Sequence, residues 1–544
     1  MGGHLSNLKP DRHSNVFLAS CGPVRGNSYQ HGDKVVDGFL GIPYAKPPIG
    51  ELRFRKPEPV ELWTEPRDCT LFGPRCPPSG MFHENIDTMY QDIPNEDNCL
   101  TLNVFRPRWN SKQYIKRPVM VFIHGGGFEL ASARDYCDYS LTGTLPLKDV
   151  VVVTVNYRLG LLGFLTTGDG VCRGNFGLWD QTLALKWVQK HIASFGGNPD
   201  NVTVFGQSAG GASVDLLALS PHSRDLFHKV IPMSGSAHVS FAIRTSADEA
   251  QVCLEFARNL GFEGNGSTEL LDFLKQVPSE KMTERSGFKH SVSGMCSFCP
   301  NFDGDFFPKP LNELRKEAPK KPVMTGIAEH EGLLFAFGDP NFTTAEDALE
   351  KRIAMDYKTD LFANPEEVQK KIFDYYIRNN ESPERALIAF IGDTTFNLGA
   401  LAGADSYAKH GNEVFFYVFD YCNPEGFGPL GSLLPFREPT HTTDLRYILG
   451  EGVYSKFEPN EEELKVMDQM CTLFTNFAKF GNPNPIGSSE WELYDLNRRG
   501  RHYHIGYPTS QMREKYQEGR CEFLEEIREK NKSYQEIFHG TKQF

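Results

Sequence analysis

A serine flanked by glycines is the feature of this chain best suited to chemistry. Gly206-Gln207-Ser208-Ala209-Gly210 matches the pattern G-x-S-x-G, in which a sharp turn between a strand and a helix exposes a nucleophilic hydroxyl. The pattern alone is weak, since a chain with 50 glycines can match it by chance. Its position strengthens it, because an apolar run typical of a strand precedes it and a helical pattern follows it. A serine there lies at a helix N-terminus, where free N–H groups stabilise developing negative charge.

A glycine-rich segment supplies a second chemical element. His124-Gly125-Gly126-Gly127-Phe128 directly follows an apolar run. Consecutive glycines let main-chain N–H groups turn toward a reacting carbonyl, as in the oxyanion holes of lipases and esterases. A tight turn after a strand is the alternative for this segment alone. Its occurrence before the serine motif, in this order, favours an oxyanion hole beside a serine nucleophile.

Strands that alternate with helices must position these two motifs. The first hundred residues are typical of short strands and turns, with proline and glycine between them. Further along, apolar runs predict strands at 119–123, 150–155, 202–205, 230–233, 322–326 and 414–420, and helical patterns span 178–195 and 209–219. This alternation predicts an α/β protein with a mostly parallel sheet that helices cover on both faces.

Several segments, in the right order, resemble the type-B carboxylesterase/cholinesterase family from about residue 33 to 525. The matching segments are 39–45 (FLGIPYA), 95–100 (NEDNCL), 156–160 (NYRLG) and 174–181 (GNFGLWDQ). The resemblance implies the α/β-hydrolase fold, with a mostly parallel central sheet flanked by helices and a small N-terminal antiparallel sheet. It also implies a single catalytic domain at 33–525, with an N-terminal extension at 1–32 and a C-terminal helical tail at 526–544.

The same resemblance implies the residues that would complete a catalytic triad with Ser208. The family's acid lies in a G-x-N-x-D-E-G segment, which here reads GIAEHEG at 326–332, so Glu331 is the match and Glu329 the near miss. The family's histidine matches His441 in the segment THTTDL. Ser234 resembles the serine that lies beside the acid. The implied donors to the oxyanion are the backbone N–H groups of Gly126, Gly127 and Ala209.

Departures from the family narrow the expected substrate. Cholinesterases carry glutamate immediately before the nucleophile, where this chain has Gln207, and a cation-binding tryptophan for which 77–98 offers no match. A quaternary ammonium would therefore lose a nearby charge and its best aromatic face. The expected substrate is an uncharged carboxylic ester, and the site residues imply hydrolysis through an acyl-enzyme. An acyltransferase that passes the acyl group to an alcohol uses the same residues and stays open, while a non-catalytic adhesion or scaffold protein is disfavoured because the triad is complete.

Cysteine usage and charge bear on location and partners. Cys76 and Cys99 match the first disulfide pair of the family, whereas its second and third pairs are incomplete here. Missing disulfides and the lack of an export signal predict a reducing, intracellular and cytoplasmic location rather than secretion. The net charge of −13, from 57 basic and 70 acidic residues, argues against nucleic-acid binding.

The N-terminus offers one candidate for lipidation. Gly2 follows the initiator methionine and Ser6 completes the myristoylation pattern, although some chains match it by chance. One myristoyl chain binds membranes only weakly, so the expected membrane contact is peripheral and reversible. No apolar stretch long enough to span a bilayer stands out in the sequence.

No cofactor or metal is expected from the sequence. Cys296 and Cys299 have the two-residue gap of a zinc or redox pair, but no second pair or histidine cluster follows at ligand spacing. The natural substrate and the oligomeric state stay open.

Overall fold

The computed structural model describes residues 11–12, 16–78, 98–283, 295–336, 344–357, 362, 364–452 and 455–530. Gly2, the lipidation candidate, lies outside the described residues. So does 531–544, which holds most of the expected C-terminal tail.

A twelve-stranded sheet runs through the protein, in the order β1-β4-β5-β7-β9-β8-β10-β11-β12-β13-β14-β15. From β9 through β14 in this order, neighbouring strands run parallel, and both flanks of the sheet are antiparallel. The strands are β1 Asp11–Arg12, β2 Phe17–Ala19, β3 Gly22–Arg25, β4 Asn27–His31, β5 Lys34–Pro43, β6 Arg67–Asp68, β7 Thr101–Pro107, β8 Arg117–Ile123, β9 Val151–Val155, β10 Gly197–Gln207, β11 Lys229–Met233, β12 Val323–Ala328, β13 Val414–Phe419, β14 His502–Ile505 and β15 Gln511–Arg513.

The remaining strands form a small separate sheet near the N-terminus. β2 and β3 pair antiparallel, and β6 adds to β3 in the parallel direction. This arrangement agrees with the expected small N-terminal sheet, apart from the parallel third strand. Residues 16–31, which we assigned to an N-terminal extension, thus contribute strands to both sheets.

Helices cover both faces of the large sheet, and two apolar clusters fill the space between the layers. Every residue of β8 and β9 is buried, as expected for uninterrupted apolar runs in a parallel sheet. The fold is therefore the predicted α/β-hydrolase fold. The helices are α1 Asp138–Thr142, α2 Gly160–Phe164, α3 Phe176–His191, α4 Ala209–Leu219, α5 Ser246–Asn259, α6 Ser267–Gln276, α7 Ser279–Thr283, α8 Leu311–Glu317, α9 Ala345–Asp356, α10 Pro365–Arg378, α11 Pro383–Gly392, α12 Leu398–Lys409, α13 Arg446–Leu449, α14 Glu461–Phe480 and α15 Arg520–Glu529.

The helices and strands differ from the prediction mainly at their ends. The strand predicted at 202–205 spans Gly197–Gln207, because the residues before Val202 extend it through a register shift against β8. The tail helix begins at Arg520, so it crosses the boundary that we placed at 525/526.

One long helix has an apolar composition that resembles that of a membrane-spanning helix. α11 continues through a π-helical turn, Asp393–Asn397, into α12, which gives an unbroken helix over Pro383–Lys409. Among the described residues it alone is long and apolar enough to span a bilayer, and the sequence had not indicated such a helix. In the structure, 89% of the apolar 18-residue stretch of this helix is buried inside the protein, as in a core helix.

A buried ion pair joins α3 to the connection that follows β9. The Asp180 carboxylate accepts hydrogen bonds from the backbone N–H of Arg158 at 3.0 Å and from its guanidinium at 2.8 and 2.7 Å. Both side chains are almost completely buried. The two charges compensate each other, so the loss of one partner leaves an uncompensated charge in the interior.

We predict that Asp180→Asn lowers the free energy of unfolding by about 3–5 kcal/mol, because it leaves the Arg158 cation buried without a carboxylate. Asp374→Asn is the control, since Asp374 pairs with Lys370 in an exposed i,i+4 contact worth less than about 1 kcal/mol. Denaturant-induced unfolding of both variants measures the difference. Equal losses in the two variants would contradict this role of the buried pair.

Candidate active site

The candidate nucleophile lies on the turn between β10 and α4. Ser208 follows the last residue of β10 and occupies the N-cap position of α4, with φ +61° and ψ −127°. This conformation is strained for a residue with a side chain, and it lifts the serine out of the strand direction. A backbone hydrogen bond from Ser208 N to Met233 O, at 2.9 Å, ties the turn to β11.

The glycines around Ser208 are required by close backbone contacts. A Cβ on Gly210 would lie 2.1 Å from the carbonyl oxygen of Ile123, and one on Gly206 would lie 2.6 Å from the same atom. The end of β8 therefore passes directly against the serine turn. A Cβ on Gly125 would approach Ser208 Cβ to 3.1 Å, so the glycine-rich segment continues along the same turn.

The three expected oxyanion donors lie on these two adjoining segments. Ala209 is the first residue of α4, and its N–H therefore has no acceptor within the helix. Gly126 and Gly127 have φ of +91° and +63°, which orient their N–H groups as a regular strand could not. Gly126 cannot carry a side chain, because its Cβ would lie 2.1 Å from Leu130 O. The structure thus brings together the two segments that hold Gly126, Gly127 and Ala209.

Glu331 lies at the start of a short 3₁₀ turn after β12 and is 1% exposed. Its Oε1 accepts hydrogen bonds from Ser234 Oγ at 2.5 Å and from Ala328 N at 2.7 Å. Its Oε2 lies 2.5 Å from His441 Nδ1. The buried carboxylate therefore has a partner for each oxygen, as a buried charge requires. Ser234 contacts the acid as the resemblance implied.

The loop that carries His441 is fastened to the loop that carries Glu331. The hydroxyl of Thr440 donates to His330 O at 2.8 Å and accepts from Leu334 N at 3.2 Å. His330 N donates to Pro439 O at 3.0 Å. These bonds fix the relative position of two loops that are 110 residues apart in sequence.

The imidazole of His441 has neighbours that no motif indicated. Gln207 Nε2 lies 3.3 Å from both ring nitrogens, which places it over the ring face, because an in-plane position would collide with the carbon between them. The rings of Phe396 and Phe335 pack against the imidazole at centroid distances of 4.3 and 5.3 Å. Phe396 comes from the π-helical turn, a feature often found at functional sites. Since Gln207 precedes Ser208 directly, its contact also places the His441 ring at the serine turn.

A buried carboxyl that no motif indicated also lies near Glu331 and His441. Asp444 lies three residues after His441 and is fully buried, and neither of its carboxylate oxygens has a hydrogen-bond partner in the described part of the chain. Burial, with the nearby charge of Glu331, raises the pKa of Asp444 to about 7. Its position in the histidine segment was visible in the sequence, but its lack of partners was not.

Glu329, the near miss for the acid, has different neighbours. It groups with Asp420 and His504 at the ends of three adjacent strands, with potential ligand atoms within 4.8 Å of one another. Within the described residues this is the one such group with metal-binding geometry. His504 Nε2 already contacts Asp420 Oδ2 at 2.8 Å, which is typical of a structural hydrogen bond.

The cysteines that the sequence singled out are either paired or buried. Cys76 and Cys99 form a disulfide, as the resemblance implied. Cys296 and Cys299 are free and buried, and Cys299 Sγ lies 3.6 Å from Glu249 Oε2. Burial raises the pKa of the Cys296 thiol, so it stays protonated, and a protonated thiol is a poor nucleophile.

Ser208 lies on a strand-to-helix turn at the carboxyl end of β10, and the serine, glutamate and histidine follow one another in this order along the chain. Together with the sheet, these features define an α/β-hydrolase. The family model described as the carboxylesterase family matches residues 13–524. The chain therefore belongs to the carboxylesterase family and is a carboxylic ester hydrolase.

Individual relatives agree with this family. The chain is 56% identical to "Esterase cest-33" of Caenorhabditis elegans, over 100% of this chain and 99% of that protein. It is 36% identical to "Pyrethroid hydrolase Ces2e" of Rattus norvegicus, over 89% and 85% of the two chains. It is also 31% identical to "Cholinesterase" of Mus musculus, over 93% and 86%.

We predict that the raised pKa of Asp444 makes the folded protein lose stability between about pH 4 and pH 7. The folded state holds this proton up to a pH of about 7, whereas the unfolded chain releases it near 3.8, so rising pH favours unfolding within that window. Asp444→Asn removes the ionisation while it preserves the shape. The measurement is the denaturation midpoint of the variant and of the parent at pH 5 and at pH 7.5. The midpoint of the variant minus that of the parent should be larger at pH 7.5 than at pH 5. A constant difference between the two proteins would contradict the prediction.

Proposed function

We propose that Ser208, His441 and Glu331 form a catalytic triad that hydrolyses uncharged carboxylic esters through an acyl-enzyme. The observation that carries the proposal is the 2.5 Å contact between Glu331 Oε2 and His441 Nδ1 beside the serine turn. A carboxylate at Nδ1 keeps the proton on that nitrogen. It thereby leaves the Nε2 lone pair free to accept the serine proton.

The first half of the reaction forms the acyl-enzyme. Ser208 Oγ attacks the ester carbonyl carbon while its proton passes to His441 Nε2. The carbonyl oxygen becomes an oxyanion, which the N–H groups of Gly126, Gly127 and Ala209 stabilise. The bond between the carbonyl carbon and the alcohol oxygen then breaks, and His441 returns the proton to the leaving alcohol.

Water reverses these steps in the second half. His441 takes a proton from water as the water oxygen attacks the acyl carbon, and a second oxyanion forms in the same position. The bond to Ser208 Oγ breaks, and the proton on Nε2 returns to the serine oxygen. The products are a carboxylic acid and the free enzyme. Glu331 stays ionised throughout and stabilises the imidazolium in both halves.

The surroundings of His441 support an uncharged substrate. The neutral carboxamide of Gln207 lies over the ring face, and the rings of Phe396 and Phe335 pack against the imidazole. A cationic substrate would find at Gln207 no negative charge to offset its loss of hydration. This chemistry favours apolar esters over choline esters.

We expect Ser208→Ala to abolish covalent labelling by an organophosphate and to remove ester hydrolysis. The reason is that the hydroxyl oxygen forms the covalent bond in both reactions. Mass spectrometry of the labelled parent and the variant measures the first effect, and a chromogenic ester measures the second. Cys137→Ala, which removes an exposed free thiol, is the matched control and should leave labelling intact. A parent protein that is neither labelled nor hydrolytically active would overturn the proposal.

Glu331 and Glu329 lie two residues apart, so matched substitutions can test which carboxylate acts as the acid of the triad. Glu331→Gln should lower kcat by roughly a thousandfold to ten-thousandfold, because the amide cannot hold the required tautomer or the imidazolium charge. Glu329→Gln should change kcat by less than about tenfold, since Glu329 groups with Asp420 and His504 instead. Steady-state kinetics on both variants decide the assignment. The reverse order of effects would move the role to Glu329.

A further inference from the structure

A buried carboxylate lies directly after the glycine-rich turn, and no motif accounts for it. Glu129 follows Phe128 and is 4% exposed. Its Oε1 accepts hydrogen bonds from the backbone N–H groups of Ser297, at 2.6 Å, and Phe298, at 3.0 Å. These donors belong to the 295–300 segment, which lies far from Glu129 in sequence. A single side chain therefore joins the turn to a distant part of the chain.

The turn before Glu129 needs such support because its backbone is strained. Gly126, Gly127 and Phe128 have successive φ values of +91°, +63° and +62°, and Phe128 has a side chain that disfavours this region. Strained backbone persists only where the surrounding contacts hold it in place. Glu129 N donates to Gly126 O at 3.0 Å, and Gly160 N donates to Phe128 O at 2.7 Å. The Glu129 carboxylate adds support from the 295–300 segment.

The 295–300 segment packs against the turn from the other side. A Cβ built on Gly127 would lie 3.4 Å from Cys296 Sγ, so the thiol contacts the glycine whose N–H is an expected oxyanion donor. A shift of this segment would therefore change the position of Gly127. Glu129 accepts hydrogen bonds from the two residues that follow Cys296, so the carboxylate and the thiol meet adjacent residues of the turn and the segment.

A buried pair, Arg244 and Glu249, also holds this segment. Arg244 Nη2 donates to Cys296 O, so the pair supports the residues that approach the turn. Arg244 Nη1 lies 3.0 Å from Glu249 Oε2 and donates to Ser297 O at 2.9 Å. Cys299 N donates to Glu249 Oε1 at 3.2 Å. Glu249 itself accepts from Cys299 N and supports the segment through this bond and through Arg244, whereas Glu129 accepts from Ser297 N and Phe298 N directly from the turn. This makes Glu249 a matched control.

We propose that Glu129 is a positioning residue for the oxyanion hole, which holds the Gly126–Phe128 turn against the 295–300 segment so that the glycine N–H groups stay aimed at the reacting carbonyl. The inference rests on the proposed function, since it assigns Gly126 and Gly127 as oxyanion donors. Glu129 itself does not touch the reacting atoms. Its loss should weaken binding of the tetrahedral oxyanion while binding of the intact ester changes little.

The test compares two readouts in full-length variants. Glu129→Ala should lower kcat for p-nitrophenyl butyrate by about ten- to a hundredfold with KM within about twofold of the parent, the effect of a misplaced donor. Its affinity for a trifluoromethyl ketone, which forms a tetrahedral adduct with the serine, should fall in parallel with kcat/KM. Glu129→Gln should regain most of both, because its carboxamide oxygen reaches the same N–H groups.

Glu249→Gln separates positioning from general support of the segment. In this variant, the ratio of the affinity for the trifluoromethyl ketone to the KM for the ester should equal the ratio in the parent. This holds even if the substitution lowers thermal stability. If Glu129→Ala does not fold, Glu129→Asp decides, since it keeps a carboxyl group but is too short to reach both N–H groups. Unchanged ketone affinity in Glu129→Ala, or in Glu129→Asp where the alanine variant does not fold, would overturn the inference. Equal losses in Glu249→Gln would overturn it as well. A parent protein without esterase activity would instead overturn the proposed function on which it rests.

Discussion

The contact between the Glu331 carboxylate and the His441 imidazole is the constraint on which the rest of the site depends. A buried carboxylate is costly unless its oxygens are hydrogen-bonded, and Glu331 meets this demand with Ser234 Oγ, Ala328 N and His441 Nδ1. These partners come from the ends of different strands and from separate loops. The contact forms only when the sheet, the acid loop and the histidine loop are all in place.

The serine turn imposes the complementary constraint of close backbone approach. The end of β8 passes so near the turn that Gly206 and Gly210 have no room for a side chain, and Gly125 continues the same contact. Ser208 and the glycine-rich segment are thereby held together by main-chain packing rather than by side chains. Main-chain packing of this kind would keep the proposed oxyanion donors in place without rearrangement during the reaction.

Short-range features of the site could be predicted from the sequence, whereas features that depend on distant contacts could not. The glycines at 125–127, 206 and 210 are local requirements of tight turns, so a motif can reveal them. Glu331 was chosen over Glu329 by a segment match alone, and the structure supplies the physical distinction, because only Glu331 faces His441. The Gln207 carboxamide over the His441 ring joins residues 234 positions apart, and no local pattern encodes that contact. The packing of Phe396 depends on a π-helical turn, and the role of Glu129 depends on a segment that begins more than 160 residues later.

The tautomer of His441 tests the central claim most directly. In protein labelled with ¹⁵N-histidine, NMR at neutral pH distinguishes a proton on Nδ1 from one on Nε2, and His441→Gln assigns the signal. The account predicts that neutral His441 carries its proton on Nδ1, with a strongly deshielded resonance that reflects the contact with Glu331. A neutral His441 that carries its proton on Nε2 would contradict the account, because that nitrogen could not then accept the proton of Ser208.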